Sequence, residues 1–362
     1  MKLGINGRFY SARVTGVQRF ARELCARLYP RCDAVLLVPT DAPENLPHGP
    51  VIQRGRLRGQ AWEQLELPRM AAAAGCDLVL HPGNSAPLTG GPHAVVVHDV
   101  LPLTNPEWFS SRYAFWQRHV IRAAVERAAI VFAPSQHTAR EIARTIDFPA
   151  AGIRVITQGL APFDAPASQS QIAAVRARYG LLQPYFLAVG WGDPRKNIGF
   201  LFSPIDRLRT ELADAPTLVV VGSVNRRIHS PAPTLPSWVR HVAQPTDAEL
   251  HALYSGALAL CSPALAEGFG RPPLEALACG TEAVVADYGP AREVLADAAT
   301  ILPLRASVWL DALRRIAHQP ETPGTLLQRV KPILAHYRWA RAANEVIEHC
   351  AQQTARGQEI VA

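Results

Sequence analysis

The segment ALALCSPALAEGFGRPPLEALACGTEAVV, residues 257–285, decides the fold because it predicts two strands with a helix between them. Its first apolar run stops at Ser262-Pro263, and a second covers Ala283–Ala286, as expected of buried strands. Pro272-Pro273 suits the first turn of a helix, where the missing N–H has no partner, and Gly280 suits the left-handed position after its end. The segment therefore predicts one repeat of a parallel α/β sheet.

Two carboxylates frame the loop and helix of this segment, Glu267 on the loop and Glu275 one turn into the helix. Gly268 and Gly270 between them let the backbone come close to a ligand, and a helix start offers N–H groups to oxygens. A carboxylate only accepts hydrogen bonds, and its two oxygens match neighbouring hydroxyls. The spacing indicates a site for a polyol, although two acids on a strand-loop-helix are also common as plain structure.

The stretch EGFGRPPLEALACG resembles the E-x7-E signature of retaining GT-B glycosyltransferases of family 4. Motifs that match the family occur in the family's order over nearly the whole chain. The resemblance implies an α/β protein with two Rossmann-like, doubly wound domains that face a central cleft. We expect an acceptor-binding domain at residues 1–165, a nucleotide-sugar-binding domain at residues 166–338, and a C-terminal helix at residues 339–362 that crosses back to the first domain.

The composition, 48% hydrophobic and 19% charged, is that of a globular enzyme. The length of 362 residues is enough for two domains that each bury a core. The net charge of +7 rests on 34 arginines and 3 lysines, and residues 1–165 carry +5 of it. That sign suits an acidic membrane surface or a polyanionic substrate, but no nucleic-acid motif accompanies it. The six scattered cysteines predict buried thiols rather than a zinc site. Without a signal peptide or spanning segment, we expect a cytoplasmic protein.

Short apolar runs alternate with helical patterns in residues 1–165, which predicts a parallel sheet. The predicted strands are Leu3–Asn6, Ala34–Val38, Asp77–His81, Ala94–His98, Ile130–Ala133 and Arg154–Thr157. Thr15 and Gly16 open a helix directly after the first strand, at the sheet edge where such folds bind ligands. In the family, a glycine in this turn approaches the donor phosphates, and Gly16 matches it. An ordinary helix start would explain the turn equally well.

His98 follows a predicted strand, and such a histidine is more often structural than catalytic. The resemblance places His98 near the donor sugar and ranks it above Asp99. Residues 61–68 and Asn84–Pro87 resemble a subgroup that builds bacterial surface polysaccharides, often with mannose or rhamnose.

The helix predicted at Glu107–Arg127 interleaves aromatic residues with arginines, which suits a peripheral membrane contact at a lipid-linked acceptor. Its aromatic residues could equally pack into the core while the arginines extend to water.

Residues 159–172 are rich in Pro, Ala and Ser and predict the interdomain linker. After the apolar strand at 185–190, Arg195 and Lys196 form a pair of cations that resembles the family's R-K-N element, which holds the donor diphosphate. As a bare pair they would be solvated surface. Gly222 and Asn225 lie at the end of a further predicted strand and are placed to meet the nucleotide. No ligand set for a metal is apparent in the sequence.

The resemblance implies that Glu275 holds the ribose diol and that Arg195 with Lys196 holds the diphosphate. Glu267 and the backbone of Gly268, Phe269 and Gly270 would hold the sugar hydroxyls. The expected reaction moves a sugar, of mannosyl or rhamnosyl type, from a nucleotide diphosphate donor to a lipid-linked or saccharide acceptor, with retention and without a metal or other cofactor. No Asp-x-Asp sequence occurs, which agrees with metal independence.

Other functions stay open at this point. A divergent sugar-nucleotide-binding protein without activity would share the fold, and so would a transferase for a small-molecule or protein acceptor. A dehydrogenase would need a G-x-G-x-x-G turn after its first strand, which residues 4–16 do not supply. Donor identity, acceptor, linkage and oligomeric state are not encoded in any motif that we recognise.

Overall fold

The computed structural model describes residues 1–43, 46–160, 163, 165–223 and 234–361. The chain divides into two compact units. The first unit comprises Met1–Pro106, Arg112–Gly159 and Tyr337–Ala362, and the second comprises Glu107–Ser111 and Leu160–His336. No helix in the described part of the chain is both long enough and apolar enough to cross a bilayer.

The first unit is built on a seven-stranded parallel sheet. Its strands are β1 (Leu3–Asn6), β2 (Ala34–Val38), β3 (Val51–Gln53), β4 (Leu78–His81), β5 (His93–Val96), β6 (Ile130–Ala133) and β7 (Ile153–Val155). They lie in the order β3-β2-β1-β4-β5-β6-β7, and every pairing is parallel. Apolar runs such as AVLLV in β2 are buried along their whole length, as a sheet covered on both faces requires. The order reverses between β1 and β4, which makes this a topological switch point.

Helices cover both faces of that sheet: α1 (Gly16–Leu28), α2 (Gly59–Leu65), α3 (Leu67–Ala73), α4 (Leu101–Thr104), α5 (Ser111–Glu126) and α6 (Gln136–Ile146). Thr15 caps α1 as predicted, and its backbone N–H and hydroxyl both contact the Gln18 side chain. Phe20 and Leu24 of α1 pack into the core under the sheet. The helix does not follow β1 directly as predicted, because a 3₁₀ turn at Gly7–Ser11 lies between them. The first turn of α1 still lies at the carboxyl edge of the sheet, since a Cβ at Gly83, just after β4, would contact Val17.

One predicted helix of this unit is interrupted, and one strand was not predicted. The helix predicted at Glu107–Arg127 is interrupted, because a 3₁₀ turn at Pro106–Trp108 precedes α5 and Phe109, between them, buries its ring. The sequence also gave no prediction for β3, whose three residues are too few to show a periodicity. The other strands lie where predicted to within one or two residues, which is the usual uncertainty of strand ends.

The second unit repeats the architecture with six strands: β8 (Tyr185–Val189), β9 (Thr217–Val221), β10 (Val239–Val242), β11 (Ala259–Ser262), β12 (Glu282–Ala286) and β13 (Thr300–Leu302). Their order is β10-β9-β8-β11-β12-β13, and all pairs are parallel. The switch point of this sheet lies between β8 and β11. The predicted class, two Rossmann-like doubly wound α/β sheets, is confirmed.

The helices of the second unit are α7 (Gln169–Tyr179), α8 (Phe202–Glu211), α9 (Asp247–Ser255), α10 (Arg271–Ala278), α11 (Ala291–Leu295), α12 (Ala306–His318) and α13 (Pro323–His336). The segment 159–172 is not linker throughout, since Phe163 and Ala167 are buried in this unit's core and Ser168 caps α7. Helix α10 has the predicted ends, with proline in its first turn and Gly280 after it at φ 74°.

The last helix, α14 (Trp339–Val361), belongs to the first unit. Trp339, Ala343, Val346 and Cys350 form a buried stripe along it and pack into the same core as α1. The ring centroids of Trp339 and Phe20 are 5.5 Å apart. Because Glu345 also accepts hydrogen bonds from the backbone and hydroxyl of Thr157, at 2.9 and 3.0 Å, the end of the chain is tied to the last strand region of the first sheet.

Candidate functional site

The turn that follows β8 carries the predicted pair of cations. Asp193 caps a 3₁₀ turn at Pro194–Lys196, and Asn197 ends the turn in the left-handed conformation. Gly190 has φ 112°, and a Cβ there would collide with the aliphatic stem of Lys196. Only glycine suits both conditions, so the backbone at 190 makes room for Lys196 to fold back over the end of β8. Gly190 was not singled out from the sequence.

Lys196 meets Glu267 at the switch point of the second sheet. Lys196 Nζ donates a hydrogen bond to Glu267 Oε1, and each of the two side chains is 16% exposed. The backbone N–H of Leu265 donates to the carbonyl of Arg195 at 2.7 Å, which joins the two loops a second time. Because these loops leave β8 and β11, which are neighbours in the sheet, the fold brings together residues that are 71 positions apart.

Arg195 is held by a carboxylate that the sequence interpretation missed. Its Nε and Nη2 donate to both oxygens of Asp193 at 2.6–3.1 Å, a bidentate pair. Burial acts to raise the pKa of Asp193, but the hydrogen bond and charge of Arg195 outweigh burial and hold that pKa below its ordinary value. An Asp-Pro-Arg turn is a local signal that could have indicated this pairing. Asp193 therefore fixes the direction of the guanidinium.

Glu275 lies one turn into α10 and is 8% exposed. It accepts hydrogen bonds from Tyr254 Oη at 3.0 Å and from Arg271 Nη2 at 3.2 Å. Burial, and then the charge of Glu275, raise the pKa of Tyr254 well above its ordinary value. The two hydrogen bonds hold the Glu275 side chain in one orientation at the carboxyl edge of the sheet.

The loop between the two acids is less rich in backbone donors than we expected. Gly270 caps α10 with φ 90°, but Pro272 and Pro273 occupy two of the first three helical positions. A proline has no N–H, so of the first four helical residues only Arg271 and Leu274 retain one. The donors that remain at this edge are those of Gly268, Phe269, Gly270 and Arg271, of which Phe269 is buried at 6% exposure.

One further predicted contact, Gly222, lies at the end of β9. Gly222 has φ 128°, and its carbonyl lies 2.6 Å from His241 Nε2. Its N–H donates to the carbonyl of Val242 at 3.1 Å, so Gly222 joins β9 to the end of β10. Asn225 falls outside the described residues.

In the first unit, Gly16 and His98 lie at the carboxyl edge of the sheet. Gly16 is exposed in the first turn of α1, with nothing near the position of a Cβ. His98 is buried: Nε2 lies 3.0 Å from the carbonyl oxygen of Pro82, its backbone N–H donates to Asn84 at 2.7 Å, and its ring packs edge-on against Phe20. These contacts account for the burial and orientation of the His98 side chain without any ligand. Its role near the donor sugar stays a prediction.

A buried polar network occupies the switch point between β1 and β4, and its members were assigned no role from the sequence. Glu63 is fully buried and accepts hydrogen bonds from Asn6 Nδ2 at 2.7 Å, Ser85 Oγ at 3.0–3.1 Å and Arg8 Nε at 3.1 Å. The Arg8 side chain is 29% exposed and reaches the surface at this edge. The network links α2, β1 and the loop after β4. It therefore holds the carboxyl edge of the sheet in one shape around Arg8, whose side chain a ligand can reach.

His81 joins this network through a contact of 3.0 Å between its Nδ1 and Asn6 Nδ2. Burial, then the neighbouring His93 and Arg8, lower the pKa of His81 well below its ordinary value, so the ring is neutral. A neutral ring can accept the hydrogen bond from the Asn6 amide.

Models of two glycosyltransferase families match the two halves of the chain. "Glycosyltransferase Family 4" matches residues 14–162, and "Glycosyl transferases group 1" matches residues 177–326. The two regions do not overlap, and together they contain the described site residues named above except Asn6 at the end of β1 and Arg8 just after it.

Curated relatives include O-antigen chain mannosyltransferase B of Escherichia coli, 28% identical over 56% of this chain and 55% of that protein. O-antigen chain mannosyltransferase RfbU of Salmonella typhimurium is 28% identical over 63% of this chain and 61% of its own length. The matched regions thus span little more than half the length of these relatives.

Among solved structures, sucrose-phosphate synthase from Thermosynechococcus elongatus superposes with a TM-score of 0.76 at 19% identity, covering 98% of this chain and 99% of that one. Anabaena HepE, solved in complex with UDP and glucose, superposes with a TM-score of 0.73 at 17% identity and covers 97% and 99%. These likenesses establish the fold.

Proposed function

This chain belongs to the group 1 glycosyltransferases of family 4, with the GT-B fold, and from that premise we propose that it transfers mannose from a nucleoside diphosphate donor to a saccharide acceptor of a bacterial surface polysaccharide. The mannosyl preference is supported by the O-antigen mannosyltransferases among its relatives. The same site chemistry would also allow a rhamnosyl donor, which is a variant of this proposal.

The observation that carries this proposal is the meeting of Lys196 and Glu267 beside Arg195 at the switch point of the second sheet. Open α/β sheets bind ligands at such points, and a sugar diphosphate needs both kinds of partner. The cations suit the diphosphate, and the carboxylates of Glu267 and Glu275 suit hydroxyl groups of the sugar and ribose.

In the proposed reaction the bond from the anomeric carbon to the diphosphate breaks, and negative charge grows on the leaving phosphate. Lys196 and Arg195 stabilise that charge, which is the largest catalytic requirement of such a transfer. The proposal requires no metal. We expect attack on the same face as the departing phosphate, with retention, because retention is what membership of the family implies. No residue is assigned as a covalent nucleophile.

We propose that the first unit takes the acceptor at its own switch point. Support comes from the carboxyl edge where Arg8 reaches the surface beside the network of Glu63, Asn6 and Ser85. A guanidinium held by a buried carboxylate is preorganised to donate to acceptor oxygens. His98, at the end of β5, completes the proposed set of first-unit residues.

Helix α5 is proposed as a peripheral contact with the inner face of the cytoplasmic membrane, where a lipid-linked acceptor would lie. Phe115 and Trp116 are 68% and 41% exposed, and Arg112, Arg118 and Arg122 are exposed on the same helix. Exposed aromatic residues with arginines suit a bilayer interface that carries anionic lipid. Replacing Phe115 and Trp116 by serine should abolish sedimentation with anionic vesicles, and unchanged sedimentation would remove this part of the proposal.

A ligand screen followed by a transfer assay tests the function. Thermal shifts with GDP, UDP and dTDP identify the nucleotide, and release of nucleoside diphosphate from the matching sugar nucleotide in the presence of an acceptor identifies turnover. We expect stabilisation by GDP and turnover of GDP-mannose. Stabilisation without turnover on any saccharide acceptor would favour a sugar-nucleotide-binding protein, and no stabilisation by any nucleotide would overturn the proposal.

A further inference from the structure

Tyr288 places a buried hydroxyl beneath the loop that carries Glu267. The residue follows β12, is 3% exposed, and packs against the start of α10: a Cβ at Gly270 would collide with Tyr288 Oη. Within the described part of the chain, this hydroxyl has no hydrogen-bond partner. Burial, then the charge of Glu267, raise the pKa of Tyr288, so the hydroxyl keeps its proton.

Burying a tyrosine hydroxyl without a hydrogen-bond partner is energetically unfavourable. Phenylalanine would supply the same ring without burying an unsatisfied polar group, and buried polar groups in native proteins nearly always find a partner. Two other buried tyrosines of this unit obey that rule, because Tyr254 Oη donates to Glu275 at 3.0 Å and Tyr185 Oη donates to the Leu253 carbonyl at 2.8 Å. We therefore expect the Tyr288 hydroxyl to gain a hydrogen-bond partner in another state of the site.

Under the proposed function, Glu267 is the group whose surroundings change when a donor binds. In the structure its charge is balanced by Lys196, and its side chain is only 16% exposed. A diphosphate carries more negative charge than one carboxylate and competes for Lys196. Once Lys196 turns to the phosphate, Glu267 is left with sugar hydroxyls and needs another proton donor, since a largely buried carboxylate without partners is unfavourable.

We propose that Tyr288 is a positioning residue for donor binding: when the diphosphate engages Lys196, the Tyr288 hydroxyl donates a hydrogen bond to Glu267 and holds its carboxylate against the sugar. The inference rests on the proposed function, because it requires a sugar diphosphate at Lys196. It adds a residue from the end of β12 to a site otherwise made by the ends of β8 and β11.

The experiment compares Tyr288→Phe with Tyr185→Phe, which removes a hydroxyl that already has a partner at the opposite edge of the sheet. The melting temperature is measured without ligand, and the dissociation constant for GDP-mannose is measured by calorimetry. Tyr288→Phe should keep or raise the melting temperature and weaken GDP-mannose about tenfold to a hundredfold, the range for a hydrogen bond to a charged group. Tyr185→Phe should lower the melting temperature and leave GDP-mannose affinity unchanged.

A double-mutant cycle with Glu267→Gln shows whether Tyr288 acts through Glu267. In that background Tyr288→Phe should change GDP-mannose affinity by less than about threefold, because the charged acceptor is gone. Three results would overturn the inference: a lowered melting temperature for Tyr288→Phe alone, affinity within twofold of wild type, or a full loss that persists beside Glu267→Gln. Failure of the wild-type protein to bind any of the sugar nucleotides would instead overturn the proposed function, and this inference with it.

Discussion

Replacing Lys196 by alanine should separate the two tasks of this side chain, balancing Glu267 and stabilising the leaving phosphate. Each partner of the pair is 16% exposed, so the substitution leaves a largely buried carboxylate without its cation. Removing one member of a fully buried pair costs about 3–5 kcal/mol, and the remaining exposure to solvent reduces this to about 1–3 kcal/mol. For a unit of this size, that corresponds to a drop in melting temperature of roughly 3–10 °C.

The loss of activity should be larger than the loss of stability explains. A preorganised donor to a developing negative charge contributes about 10²–10³-fold to kcat. The double variant Lys196→Ala with Glu267→Gln provides the control, since a neutral amide at 267 needs no cation. It should regain most of the melting temperature and none of the transfer rate.

Unfolding without ligand and initial rates of GDP release from GDP-mannose measure the two effects separately. Transfer by folded Lys196→Ala within threefold of wild type would refute the catalytic role of Lys196. A double variant no more stable than Lys196→Ala would refute the reasoning about the buried pair.

Glu275→Gln should weaken GDP binding about tenfold by calorimetry, because an amide loses one acceptor for the ribose diol, and affinity equal to wild type would contradict the assignment. Transfer should continue within about twofold in excess EDTA, since cations of the protein neutralise the leaving group, and abolition of transfer by EDTA, reversed by Mg²⁺, would show a metal requirement. Stability should fall as the pH drops below about 6.5, because the unfolded chain then binds a proton that neutral, buried His81 does not, and His81 alone contributes a slope of at most about 1.4 kcal/mol per pH unit. Substituting His81 by glutamine should flatten that part of the unfolding curve, and an unchanged slope would assign it to other groups.

Sequence was sufficient where the determining interactions are local. The ends of α10 follow from Pro272 and Gly280, and the entry to α1 follows from Thr15, whose capping partner is Gln18. Such caps involve residues three or four positions apart, so their pattern is visible in the chain itself. The same reasoning could have found Asp193 as the cap of the turn that bears Arg195.

Contacts that depend on strand order could not be derived in this way. Lys196 meets Glu267 because β8 lies beside β11, a property of the folded sheet. The burial of Phe109, which interrupts the helix predicted at Glu107–Arg127, is likewise set by tertiary packing. The hydroxyl of Tyr288, which has no partner among the residues that the structure describes, has no sequence signal, because only the packing of its surroundings distinguishes it from any other buried tyrosine.

A crystal structure of the protein with GDP-mannose tests the central claim most directly. The account predicts the diphosphate against Lys196 and Arg195, the ribose against Glu275, and the sugar hydroxyls against Glu267 at the carboxyl ends of β8 and β11. A donor bound away from these four side chains would contradict it.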